Sequence, residues 1–129
     1  EYTDSLRIVW KDMPNTSQHD EALNAAVAAH CGGEQKSFWE YHTLLMSNQA
    51  SLGPELYSEI ATELDLNSRA FARCLEDEST LPLVQRGFEE GLALGITATP
   101  TVFVNGERYT GAVTTTELRR LIDKLISEL

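Results

Sequence analysis

Apolar and polar side chains alternate from Leu6 to Lys11. Leu6, Ile8 and Trp10 fall on one face and Arg7, Val9 and Lys11 on the other, the period of two that marks a β-strand over residues 6–11. Pro14 ends it. Beyond it the apolar residues recur at helical spacing. Ser17-Gln18-His19-Asp20 approximates a capping box, so a helix is expected from Ser17 to Cys31, with Gly32-Gly33 as its stop. Its Ala22, Ala25, Ala26 and Ala29 suit close packing on another element. Ser37-Phe38-Trp39-Glu40 reads as a second capping box opening a helix with Phe38, Tyr41, Leu44 and Leu45 inward, ending before Gly53.

Pro54 suits the first turn of a third helix, on which Leu56, Ile60 and Leu64 share a face. Asn67 is placed to cap a short fourth helix with Phe71, Cys74 and Leu75 on one side. A longer helix follows from Thr80 through Val84, Phe88 and Leu92 and stops at Gly95. Thr101 to Tyr109 then reads as a β-hairpin around an Asn105-Gly106 type I′ turn. Pro100, which lacks a backbone donor, marks where the loop enters that hairpin. Thr114-Thr115-Thr116-Glu117 caps a last amphipathic helix through Leu118, Leu121, Ile122, Leu125 and Leu129. No repeat or linker divides this order, which predicts one domain over residues 1–129.

The chain has 129 residues, enough for a buried core without metal staples. Twenty acidic against ten basic residues give a formal charge of −10. That field repels a phosphate backbone and argues against nucleic acid or anionic lipid as partner. No apolar run approaches the ~20 residues of a bilayer span, so no membrane insertion is expected. Glu1-Tyr2-Thr3-Asp4 shows neither a basic start nor an apolar region of a signal peptide. His19, His30 and His42 lack the close spacing of a metal site and adjoin no nucleophile, so neither a metal nor a cofactor is expected. Phe38, Trp39, Tyr41 and Phe88 read as core. Cys31 falls near a helix C-terminus and Cys74 on a helix's apolar side, places where the sulfurs act as small apolar groups rather than thiolates.

Several segments together resemble one family. The run from Gly95 to Gly106, with Thr99-Pro100-Thr101 before a β-branched strand, resembles the cis-proline loop of DsbA-like thiol:disulfide oxidoreductases. Ala25 to His42, with its Ala-rich helix, Gln35, Phe38-Trp39 and His42, resembles the start of that family's helical insertion. Leu64-Asp65-Leu66, Phe71, Cys74-Leu75 and Leu94-Gly95-Ile96 continue the likeness, and Arg7 to Pro14 resembles the strand after the family's first helix. The resemblance covers nearly the whole chain.

It implies an α/β, thioredoxin-like fold, mostly α by content. A helical subdomain is inserted at about residues 17–94, and the fold is expected to be incomplete at the N-terminus because the family's Cys-x-x-Cys is absent. By local sequence Pro100 would be trans; the resemblance implies cis, with Thr99 and Pro100 presenting backbone to an extended protein or peptide substrate. It likewise implies a structural disulfide between Cys31 and Cys74, against the bland alternative of two free buried thiols. A thiolate nucleophile with a resolving partner is missing, so no residue is assigned a catalytic role and the chain is expected to be inert. The parent activity is protein thiol:disulfide exchange in an extracytoplasmic space, periplasmic or secreted. The alternatives are a naturally non-catalytic interaction module and a glutathione-using relative. A vacant central strand position would favour a homodimer or strand exchange.

Overall fold

The computed structural model describes residues 2–129. In chain order the elements are α1 (Ala22–Glu34), α2 (Phe38–Ser47), a 3-10 turn (Gln49–Ser51), α3 (Pro54–Glu63), α4 (Ser68–Glu76), α5 (Leu81–Ala93), β1 (Thr101–Val104), β2 (Glu107–Thr110) and α6 (Thr115–Ser127). They fall into two compact units, residues 11–90 and residues 2–10 with 91–129.

The helical unit is built around Tyr41 and Phe71, both sealed from solvent, with Ile60, Val84 and Cys31 packed into the same core. The two rings lie 5.4 Å apart, and the Tyr41 hydroxyl donates to the Tyr57 carbonyl at 2.9 Å. Burial raises the Tyr41 phenol well above its ordinary range. α1 approaches α2 closely because Gly32 faces Tyr41: a Cβ there would sit 3.0 Å from that side chain. Gly32 and Gly33 are therefore not the predicted stop signal. They lie inside α1 as the small face on which α2 packs.

The helices stop another way. α1, α3, α4 and α5 each end in a Schellman motif, for example Ser37 N–H to Gly32 C=O with Lys36 N–H to Gly33 C=O. The left-handed residue is Lys36 (φ 62°), Asp65 (φ 56°), Glu78 (φ 48°) and Gly95 (φ 70°) respectively. The start signals divide. Asn67 Oδ1 accepts from Ala70 N–H at 2.9 Å, and Thr114 with Glu117 forms a reciprocal capping box. Ser37 makes no side-chain cap, and Ser17 Oγ bonds Asn15 Oδ1 in a turn ahead of α1, which begins only at Ala22. On α5 the buried side is Val84, Gly87 and Gly91, with Thr80 buried just ahead of the helix; Phe88, expected in the core, and Leu92 are exposed. Trp39 is exposed as well.

In the second unit β1 pairs antiparallel with β2, Thr101 opposite Thr110 and Val104 opposite Glu107. Asn105 (φ 48°) and Gly106 (φ 88°) supply the two positive dihedrals of the type I′ turn. The Arg108 guanidinium lies 5.2 Å from the Phe103 ring centre and bonds the Leu94 carbonyl. The Tyr2 hydroxyl donates to Asp123 of α6 at 2.8 Å.

Residues 6–11, predicted as a strand, carry no strand assignment. A strand exists only through its ladder, and the N–H and C=O groups of Arg7, Ile8 and Val9 make no intrachain hydrogen bond among the described residues. The alternating pattern fixes which side chains share a face. It does not supply the neighbour.

Candidate functional site

The loop after α5 is shaped from both ends. Gly95, left-handed, closes α5, and the chain then runs exposed from Thr97 to Pro100 before β1 begins. The Thr99–Pro100 peptide bond is cis. Thr101 Oγ1 donates to the Ala98 carbonyl at 2.6 Å, and Gly111 N–H donates to the Pro100 carbonyl at 2.8 Å. Between these two tied carbonyls stands Thr99. Its own N–H and C=O make no intrachain hydrogen bond among the described residues, and the residue is exposed. One donor and one acceptor, held by bonded neighbours, offer an extended polypeptide the same pairing that a strand edge offers.

Cys31 and Cys74 are joined by a disulfide, S–S 2.09 Å, that fastens α1 to α4. The two residues are 1% and 5% exposed. The Thr80 hydroxyl donates to the Val27 carbonyl at 2.9 Å and lies 3.7 Å from Cys31 Sγ. Thiol exchange needs an attacking thiolate to reach a sulfur in line, and this bond is closed to one. It also leaves the chain without a free cysteine. Chemically the disulfide is a staple.

The sequence did not single out a second buried polar feature. Asp12, 6% exposed, meets His30 Nε2 at 2.5 Å. The backbone of residue 12 sits against Gly87 of α5, where an added Cβ would come within 2.9 Å of its N and O atoms. Phe38 lies against both His30 (ring centres 5.1 Å apart) and His42 (5.8 Å). Burial lowers the His42 imidazole below its ordinary value, opposed by the charge of Asp12. The Asp12–His30 pair could have been sought from its residue types, but its 18-residue separation matches no motif, and glycine in mid-helix at 87 is the one local hint. Among the described residues no three His, Cys, Asp or Glu side chains are grouped to hold a metal ion. No helix there is long and apolar enough to cross a membrane.

Residues 1–124 match the family described as thioredoxin. The chain belongs to the thioredoxin family. Its relatives among curated proteins carry a different label. It is 37% identical to Na(+)/H(+) antiporter NhaA 3 of Salinispora tropica over 111 residues, 86% of this chain and 17% of the antiporter. It is 35% identical to Na(+)/H(+) antiporter NhaA 1 of Salinispora arenicola, over 84% of this chain and 17% of that protein. With Na(+)/H(+) antiporter NhaA 1 of Mycolicibacterium gilvum it shares 29% identity over 95% of this chain and 20% of the relative. The chain thus spans a fifth or less of the length of these relatives, and a thioredoxin-family segment is the part it shares with them. No solved structure matches it significantly.

Proposed function

We propose that this thioredoxin-family chain is a peptide-positioning module of the DsbA-like kind, working on protein thiols in an extracytoplasmic space. The observation that carries the proposal is the open main chain of Thr99 between the tied carbonyls of Ala98 and Pro100. In thiol exchange a thiolate attacks one sulfur of a disulfide, forming a mixed disulfide and expelling the other sulfur as thiolate. A substrate paired along Thr99 would hold its sulfur in a fixed place for that attack. The 129 residues contribute the positioning and no attacking sulfur, because both cysteines are spent in the buried staple. By itself the chain is inert in exchange.

Reduction of insulin by dithiothreitol tests the inertness. The rate with the chain present should equal that of dithiothreitol alone. An acceleration abolished by Cys31→Ala with Cys74→Ala would mean that the staple opens and reacts.

The antiporter relatives favour a second, compatible reading, in which the module is borne on a longer polypeptide that includes a Na(+)/H(+) antiporter and serves it as a non-catalytic interaction or redox appendage. An antibody against residues 101–129, used on source cells, decides it. A band far above 14.3 kDa supports the longer polypeptide, and a band at that mass rules it out.

A further inference from the structure

In the helical unit, α1, α3, α4 and α5 enclose a cleft of about 400 Å3. Its lining is mainly apolar: Leu23 and Val27 of α1, Leu75 of α4 and Leu81 of α5 stand around Tyr57 of α3. The walls are fastened to one another. The Cys31–Cys74 disulfide ties α1 to α4, and the Thr80 hydroxyl just ahead of α5 donates to the Val27 carbonyl at 2.9 Å. A cleft held in shape by its own scaffold spares a ligand the cost of ordering it. All of its walls come from residues 11–90. It sits by the first turns of α1 and α5, away from His30 and Gly87, where Asp12 meets the same two helices.

The polar groups at its edge narrow what it takes. Tyr57 and Asn24 both direct donors to Glu21, at 2.8 and 3.4 Å. The charged residues of the lining are Glu76 and Glu78, both exposed, and no Lys, Arg or His lines the cleft among the described residues. Neither carboxylate has a hydrogen-bond or ion-pair partner among the described residues. Two uncompensated carboxylates beside an apolar floor are complementary to an apolar group that carries a cation. About 400 Å3 is at the small end of the range for ligand pockets and admits a few side chains. The cleft is open to solvent on one side, so a side chain can enter it while its backbone continues outside. A second copy of this chain is a poor occupant, because it brings the repulsion of another −10 charges.

We infer that this cleft binds a partner polypeptide segment through a large apolar side chain flanked by Lys or Arg, the apolar group among Val27, Leu75 and Leu81 and the cation at Glu76 and Glu78. It uses no residue of the Thr99 loop and does not depend on thiol exchange.

The test titrates the capped peptide acetyl-Lys-Leu-Phe-Lys-amide into the isotope-labelled 129-residue chain and follows amide shifts. Saturable shifts are expected at Asn24, Val27, Tyr57 and Leu81. Glu76→Gln with Glu78→Gln should weaken binding about fivefold, the size of two exposed ion pairs, and raised salt should weaken it in the same direction. Acetyl-Glu-Leu-Phe-Glu-amide, which reverses the charge, and acetyl-Lys-Ser-Ser-Lys-amide, which removes the apolar anchor, should leave the four amides unmoved. These two peptides act on the unaltered protein and keep the test decisive whatever the variant's fold. No saturation up to about 1 mM, shifts confined to residues outside the cleft, equal binding of either control peptide, or indifference to the double substitution would overturn the inference. So would 2-phenylethylammonium binding as tightly as the peptide, because the occupant would then be a small amphiphilic cation. Concentration-dependent dimerisation that the peptide reverses would overturn it too, by making the occupant a second copy.

Discussion

Replacing both Cys31 and Cys74 by alanine removes a covalent tie and little volume, so its effect measures what the tie does to the unfolded chain. The two positions are 43 residues apart, and closing a loop of that length lowers the entropy of the unfolded state by an amount worth about 4 kcal/mol. That is a large share of the roughly 5–15 kcal/mol that separates native from unfolded in a typical domain. With a urea dependence of about 1.5 kcal/mol per molar, the midpoint should fall by about 2.5 M. The assay is urea unfolding of the helical unit followed by Trp39 fluorescence in a Trp10→Phe background, disulfide-intact against alanine pair. A loss below about 1 kcal/mol would refute the reasoning, because it would mean that α1 and α4 stay together in the unfolded chain without the bond.

Other expectations follow from individual contacts. Gly87→Ala drives a methyl to within 2.9 Å of the residue 12 backbone, so urea unfolding should show a loss of about 1–3 kcal/mol. Lys36→Gly should instead raise stability by about 1 kcal/mol in the same assay, since Lys36 holds the left-handed φ of 62° that glycine adopts without a Cβ clash. The Glu117 carboxyl is held below its ordinary value of 4.5 by the Thr114 hydroxyl and then by the Thr114 backbone N–H. A depressed carboxyl adds stability above its unfolded value and loses it as pH falls through the folded one, so the helicity of α6 should drop in acid below about 4.5. Thr114→Ala should flatten that acid dependence, read as the pH profile of α6 amide shifts.

Much of the fold was legible where a single local interaction decides the structure. Asn67 and Thr114 announce their helices because a short polar side chain bonds a backbone N–H three residues on. Asn105-Gly106 announces the hairpin because both dihedrals must be positive. The helix ends were hidden because three of the four Schellman motifs place Lys36, Asp65 or Glu78, not glycine, in the left-handed position. The glycines that looked like stops serve packing instead: Gly32 receives Tyr41, and Gly33 lies 3.3 Å, measured from an added Cβ, from Phe38. The Gln35 side chain, noticed only as part of a family likeness, clamps Asn67 by donating to its carbonyl at 3.2 Å and accepting from its N–H at 2.8 Å. No spacing rule reveals a contact across 32 residues.

The candidate site was legible in part for the same reason. Thr99 and Pro100 stood out by the chain around them, and the structure adds what composition cannot carry, that the carbonyls on either side of Thr99 are occupied while Thr99 itself is open. The disulfide joins residues that only the resemblance paired. Asp12 and His30 escaped notice because their meeting depends on where the segment before α1 returns against α5. The strand expected at residues 6–11 failed for the opposite reason: its pattern is local, but a strand needs a neighbour, and none is laddered to it among the described residues.

The most direct measurement of the central claim is amide NMR of the labelled chain titrated with a reduced, unfolded cysteine-containing polypeptide. The account predicts saturable shifts centred on the Thr99 and Thr101 amides, with slowed hydrogen exchange at Thr99 and no mixed disulfide formed. Shifts that leave Thr99 and Thr101 untouched, or a covalent adduct at Cys31 or Cys74, would contradict it.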